Sequence, residues 1–188
     1  MEEKKLRRLL PIQPEWSIPQ LQENLAVALE GSGPALSTKP NLITEIDQSI
    51  ALVVNTSGSS SDAKSVAISS DALIASTNAS HKYLGATPGD SWSLLLPTSH
   101  IAGLNVLIRA TALGSRVIDN RNVTSYIDAD FISIVPTQLY KALTGDAKLL
   151  EHLTAAEAVL VGGGPISEQL KKEAASKHVK VVTTYGMT

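Results

Sequence analysis

Trp92-Ser-Leu-Leu-Leu-Pro97-Thr-Ser-His100-Ile-Ala-Gly103-Leu-Asn-Val-Leu-Ile-Arg109-Ala-Thr-Ala-Leu113 sets a short apolar run, a proline-containing turn and a long apolar stretch in succession. The short run reads as a buried strand, Trp92–Leu96, and the longer one as a helix around Ile101–Leu113. The same alternation continues on both sides. Upstream lie strand Ile50–Val54, a shorter strand Val66–Ile68 and a helix Ser70–Leu84. Ser69 or Ser70 caps that helix, and Gly85 lies past its end. Downstream come strands Arg116–Ile118 and Phe131–Val135, then a helical stretch over 136–153 broken near Gly145. Strand Ala158–Val161, helix Ile166–Lys177 and strand Val179–Thr183 complete the series. Strands alternating with helices predict βαβ units, an α/β fold with a mostly parallel sheet flanked by helices.

The N-terminal quarter reads differently. Residues 1–18 are charged and then punctuated by Pro11 and Pro14. Leu21, Leu25, Ala28 and Leu29 form one apolar stripe, which predicts a helix over 19–31. Residues 32–48 are polar and rich in Pro and Gly, a loop or short connector. The expected organisation is therefore an N-terminal helix and connector over 1–48 and an α/β domain over 49–188.

The chain has 188 residues, which fits one domain. Apolar residues make up 43% and charged residues 18%, a core-forming composition. Sixteen Lys plus Arg stand against 18 Asp plus Glu, a net charge of −2. No positive excess exists to neutralise a phosphate backbone, so no nucleic-acid partner is expected. The absence of cysteine excludes disulfides, zinc–thiolate sites and a thiol nucleophile on this chain. The first eight residues have no apolar core behind them before Pro11, unlike a signal peptide. The longest apolar runs fall far short of the ~20 residues that span a bilayer. A cytoplasmic protein without a membrane span is expected.

The unusual residues follow the strands. Pro97-Thr-Ser-His100, Pro136-Thr-Gln138, Gly162-Gly163-Gly164-Pro165 and Thr184-Tyr185-Gly186-Met187-Thr188 all stand at strand ends. Ligands of open α/β sheets bind outside the carboxyl ends of strands. Glycine and proline alone would only mark turns; a histidine, a glutamine and a tyrosine among them point to a small-molecule site.

A further polar loop follows the first buried strand: Asn55-Thr56-Ser57-Gly58-Ser59-Ser60-Ser61-Asp62-Ala63-Lys64-Ser65. Hydroxyls, backbone N–H groups and a lysine can wrap phosphate oxygens, although a solvated hairpin loop has the same composition. Gly58 to Ser65 fits the Walker pattern G-x-x-x-x-G-K-[ST] except at Ala63. A Walker loop opens a helix, however, and Val66-Ala67-Ile68 reads as strand. The alternative is the phosphate loop of the adenylate-forming enzymes, roughly [ST]-[ST]-G-[ST]-[ST]-G-x-P-K-G. Thr56 to Ser60 and Lys64 match it; Ser61, Ala63 and Ser65 depart from the usual Gly, Pro and Gly.

The remaining clusters make this resemblance specific. Pro97-Thr-Ser-His100 resembles the P-x-x-H element at the acyl pocket of adenylate-forming acyl-CoA synthetases. Gly162-Gly163-Gly164-Pro165 resembles their G-G-[AG]-P segment beside the adenine. Tyr185-Gly186-Met187-Thr188 resembles Y-G-[MLS]-T-E, in which the tyrosine lies near the adenine and the Thr-Glu pair serves phosphate and magnesium. Leu96 to Arg109, Ser133-Ile-Val-Pro-Thr-Gln-Leu139 and Val159-Leu-Val-Gly-Gly-Gly-Pro165 are most similar to the o-succinylbenzoate–CoA ligase family of menaquinone biosynthesis. The resemblance covers residue 49 to the end.

The resemblance implies ATP-dependent adenylation of a carboxylate, then thioester formation with CoA. It implies ATP, CoA and Mg2+ as partners. Thr56, Ser57, Gly58, Ser59, Ser60, Lys64 and Thr188 would hold phosphate, and Thr188 would also serve the metal. Gly162, Gly163, Gly164, Pro165, Tyr185, Gly186 and Met187 would place the adenine. His100, Gly103, Arg109 and Gln138 would line the acyl side, with Arg109 facing the free carboxylate of o-succinylbenzoate. A charged arginine in an apolar helix needs an anion partner if buried, or else its stem merely covers apolar neighbours at the surface. Nine helical residues turn about 900°, so His100 and Arg109 converge only if His100 precedes the helix. His81, His152 and His178 read as surface residues, and no spacing suggests a metal site. A different acyl- or aryl-CoA ligase, a non-catalytic remnant or binding module, and a Walker-type NTPase are the competing readings.

The family's later aspartate and its C-terminal lid with a catalytic lysine have no counterpart, so this is expected to be an N-terminal portion with no catalytic residue of its own. A parallel sheet cut at its edge also favours self-association into a homo-oligomer. The 188-residue chain alone is expected to make no acyl-CoA at a useful rate; steady AMP release from ATP, o-succinylbenzoate and CoA would contradict this.

Overall fold

The structure, a computed structural model, describes residues 5–55 and 64–184. The N-terminal part forms β1 (Leu6–Pro11), α1 (Ile18–Glu30), β2 (Ala35–Ser37), β3 (Glu45–Asp47), β4 (Ile50–Asn55), β5 (Ser65–Ser69) and α2 (Ser70–Leu84). α1 begins where the local chemistry directs: Gln20 Oε1 accepts from the Ser17 N–H at 2.9 Å, and Gln20 N–H faces Ser17 Oγ at 3.4 Å. It stops at Gly31, whose φ of 76° is left-handed and suits glycine. Ser69 caps α2 by accepting from Ala72 N–H at 3.2 Å.

Three of these strands correct the sequence expectation. Residues 32–48 are not a plain connector, since β2 and β3 lie in them, and β1 lies in the charged stretch. β2 pairs in parallel with β1 and β4, so hydrogen bonding joins residues on either side of position 48. The inward charge of Arg7 hides the alternation of β1. Its guanidinium donates to Ile50 O (Nε, 2.7 Å) and Ala28 O (2.8 Å), and more weakly to Gly33 O (3.4 Å). β2 and β3 have three residues each, too few for a periodic signal.

The second half contains β6 (Trp92–Leu94), α3 (Ile101–Ala112), β7 (Val117–Asp119), β8 (Phe131–Ile134), α4 (Pro136–Thr144), α5 (Ala147–Ala155), β9 (Ala158–Val161), α6 (Glu168–Ser176) and β10 (Val181–Thr183). The break near Gly145 is real, and Asp146 restarts the helix by accepting from Leu149 N–H at 3.0 Å. These strands form a wholly parallel sheet in the order β10-β9-β8-β6-β7. The first five strands form a separate, mixed sheet, β3-β1-β2-β4-β5, antiparallel at both edges. The expected parallel sheet flanked by helices is thus the second sheet.

Both faces of that sheet are covered, which explains its apolar runs. Phe131, Ala158 and Leu160 face a core with α1, α2 and α3, while Ile132, Ile134, Val159 and Val161 face α4, α5 and α6. α3 lies between the sheets, against β6 on one side and α1 and α2 on the other. No helix among the described residues is long and apolar enough to cross a membrane.

Two histidines expected at the surface are buried. Leu73, Thr77 and His81 form the inward stripe of α2, and His81 tilts against Trp92 with ring centroids 6.0 Å apart. His152 of α5 stacks on Tyr126 at 4.8 Å and 13°. Its Nε2 lies 2.9 Å from Ser93 Oγ. Asn120 Nδ2 donates to that same Oγ at 2.9 Å, which joins His152, Ser93 and Asn120 in one buried cluster. Burial lowers the pKa of both histidines; for His152, Asp128 opposes the shift. His178 is exposed, as expected.

A lowered base pKa fixes the direction of the pH response. Below the ordinary value of 6.5 the unfolded imidazoles take up protons that the folded ones refuse, so stability falls on acidification. Each histidine adds at most about 1.4 kcal/mol per pH unit. Urea denaturation between pH 7 and pH 5 is expected to show this slope, and His152→Gln to flatten it.

Candidate functional site

A cleft of about 310 Å³ opens outside the carboxyl ends of β6, β8, β9 and β10. α3 supplies one wall through Ile101, Ala102, Asn105 and Arg109, spaced as one helical stripe. Ala72, Leu73 and Ser76 of α2 and Ile68 of β5 supply the other. Leu96, Ser133, Ile134, Val135 and Leu160 line its base, and Gly162, Gly163 and Thr184 its far end.

Arg109 carries the positive charge of this cleft. Burial depresses its pKa, yet the guanidinium stays a cation. No ion pair holds it among the described residues. Its Cζ instead sits 5.9 Å from the centroid of the Trp92 ring. Ser133 Oγ is buried without a hydrogen-bond partner among the described residues. The cleft therefore combines largely apolar walls with a cation that has no ion pair.

The glycines after β9 act through geometry. A Cβ on Gly162 would overlap Thr184 Oγ1, so glycine lets the end of β10 close in. Gly163 has φ +77°, the left-handed conformation that turns the chain away from the sheet. Gly162 N–H donates to Ile134 O (3.1 Å) and Thr184 N–H to Val161 O (2.9 Å), which carries the sheet bonding up to the cleft. Gly164 and Pro165 are exposed and outside the lining.

The other expected residues fall into three groups. His100 precedes α3 as its N-cap, as convergence with Arg109 requires, but it is exposed and only its neighbours Ile101 and Ala102 line the cleft. Gln138 is engaged by backbone: Oε1 accepts from Val135 N–H at 3.0 Å, and Nε2 points to Leu95 O at 3.4 Å. Gly103 is buried, and a Cβ there would stand 2.7 Å from Pro97 C, so it serves the close approach of α3 to the turn. Thr56, Ser57, Gly58, Ser59, Ser60, Tyr185, Gly186, Met187 and Thr188 lie outside the described residues. Lys64 is exposed where β5 begins. Asn55 pairs with Ser65 in an antiparallel hairpin, so this loop joins strand to strand and the Walker reading is overturned.

Ser76, Asn105, Ser133 and Thr184 line the cleft although their types alone did not mark them. The spacing Ile101, Asn105, Arg109 was the available signal for one of them. Ser93, His152 and Asp128 superficially follow the order of a serine triad, with His152 Nδ1 4.0 Å from Asp128 Oδ1. Ser93 has no exposed surface, so no substrate reaches it. No cluster of three or more His, Cys, Asp or Glu among the described residues could hold a metal ion.

The profile of a family described as AMP-binding enzyme matches residues 6–188. The chain belongs to the AMP-binding enzyme family. A probable 2-succinylbenzoate–CoA ligase of Mycobacterium tuberculosis is 37% identical over 91% of this chain and 49% of its own length. The 2-succinylbenzoate–CoA ligase of Lactococcus lactis is 31% identical over 76% of this chain and 32% of its own. The chain thus spans about half, or less, of the length of these relatives. The o-succinylbenzoate coenzyme A synthetase of Bacillus subtilis, solved in complex with AMP, shares the fold. Its TM-score is 0.61 at 23% identity, over 95% of this chain and 54% of that one.

In this AMP-binding enzyme chain the close approach at Gly103 has a measurable consequence. Gly103→Ala forces a methyl group into the Pro97 carbonyl. It is expected to lower stability by about 2 kcal/mol in urea denaturation.

Proposed function

We propose that this chain forms the acyl-binding part of an ATP-dependent o-succinylbenzoate–CoA ligase. The observation that carries the reading is Arg109, a half-buried cation that lines the cleft with no ion pair among the described residues. A substrate with two carboxylates supplies the missing anion with one and offers the other for activation. Arginine suits this because its planar fork binds a carboxylate through two parallel hydrogen bonds.

In this reading the reactive carboxylate attacks the α-phosphate of ATP, giving an acyl-adenylate and pyrophosphate. The CoA thiol then attacks the acyl carbonyl and displaces AMP. The protein's task is charge neutralisation and positioning more than covalent help. Thr56 to Ser60 and Lys64 hold phosphate oxygens from the loop between β4 and β5. Gly162 to Pro165, with Tyr185, Gly186 and Met187, form the adenine side. Thr188 contributes to phosphate and to Mg2+, which supplies charge neutralisation when bound. His100 flanks the acyl side at the mouth of the cleft, while Gly103 and Gln138 shape its turns. The resemblance to ligases of menaquinone biosynthesis, and substrates that are soluble metabolites, support a cytoplasmic location.

The test uses the full-length protein with ATP, CoA and two acids, o-succinylbenzoate and 4-oxo-4-phenylbutanoate, which lacks the ring carboxylate. Arg109→Gln is expected to lower kcat/KM for o-succinylbenzoate by roughly 10²-fold and to leave the second acid nearly unchanged. Equal losses for both acids would direct the reading to a ligase of monocarboxylates.

A further inference from the structure

Arg109 can select an anion only if its guanidinium is held in place, and a free arginine side chain has many rotamers. One buried ring lies beside it, and two more pack on that ring. Trp92 has no exposed surface, and its ring lies 5.9 Å from Arg109 Cζ. Phe131 braces Trp92 from β8 at 4.8 Å and 38°, and His81 braces it from α2 at 6.0 Å and 55°. None of the three rings lines the cleft.

We propose that the Trp92 ring, braced by Phe131 and His81, is the positioning element that holds the Arg109 guanidinium in the cleft through a cation–π contact, and so sets the affinity for a substrate's free carboxylate. This rests on the reading of Arg109 given above. The chemistry favours a ring over an acidic partner. A carboxylate beside Arg109 would also fix it, but would neutralise the charge and compete with the substrate. An indole face attracts the desolvated cation and leaves its hydrogen-bond donors free. A second observation agrees. Trp92 Nε1 is buried without a hydrogen-bond partner among the described residues, so the position gains nothing from the indole N–H. An unpaired buried donor is a cost that phenylalanine would avoid. What tryptophan adds at this place is the larger and more electron-rich face.

The experiment replaces the ring's electrons and keeps its shape. Site-specific incorporation at position 92 of the full-length protein confines the replacement to this ring. The protein is made with tryptophan, monofluoro-, difluoro- and tetrafluorotryptophan at that position. Dissociation constants are measured by calorimetry for o-succinylbenzoate and for 4-oxo-4-phenylbutanoate. The dissociation constant for o-succinylbenzoate is expected to rise stepwise with fluorination, reaching roughly tenfold, while that for the second acid stays level. A purely structural role for Trp92 would move both acids together, and that result, or a flat series, overturns the proposal. Arg109→Gln in the full-length protein separates the two ideas. If it removes the preference for the dicarboxylate while the fluorine series is flat, only the positioning role fails. If Arg109→Gln leaves the preference intact, the reading of Arg109 itself fails.

Discussion

Helix α3 is apolar around most of its circumference, and that single constraint organises the molecule. Such a helix cannot face water and must be enclosed. Leu104, Val106, Leu107 and Ile108 are fully buried, with the parallel sheet on one side and α1 and α2 on the other. Each large side chain enclosed in this way contributes about 1.5–3 kcal/mol. The stripe of Ile101, Asn105 and Arg109 is less buried than these and lines the cleft. The enclosure therefore both stabilises the fold and carries a cation into a place where water is scarce. Gly103 completes the arrangement by letting the first turn of α3 approach the Pro97 carbonyl.

The buried polar groups divide by whether their partners are internal. Arg7 is buried, but backbone carbonyls of Ala28 and Ile50 take its donors, so it ties α1 to the first sheet. His152 Nε2, Ser93 and Asn120 meet one another away from the cleft, and His152 Nδ1 lies 4.0 Å from Asp128. Those groups hold structure together. Arg109 and Ser133 differ, since neither has a hydrogen-bonding or ionic partner among the described residues and both line the cleft. Leaving a buried polar group unmatched costs about 1–3 kcal/mol, and more for a charge. Under the proposed function a substrate carboxylate would remove that cost at Arg109 on binding.

The sequence by itself determined the parallel sheet. Runs such as Leu94 to Leu96 and Val159 to Val161 are apolar on both faces, and helical stripes separate them, so the βαβ rhythm is written in local patterns. It also marked Arg109, Gly162 and Gly163, because an arginine in an apolar helix and a glycine run after a strand are locally unusual. Tertiary structure alone decided the rest. β2 and β3 have three residues each and exist only because neighbouring strands pair with them. His81 and His152 read as surface residues because their helices look amphipathic; what buries them is Trp92 in one case and Ser93, Asn120 and Tyr126 in the other, none nearby in the chain. Gln138 had the residue type of a binding group, but its position three residues after Val135 turned it to the backbone. Periodicity reports which face of an element is apolar; it carries no information about which polar partner meets a side chain across dozens of residues, and those meetings decide where a charge is buried and what it can bind.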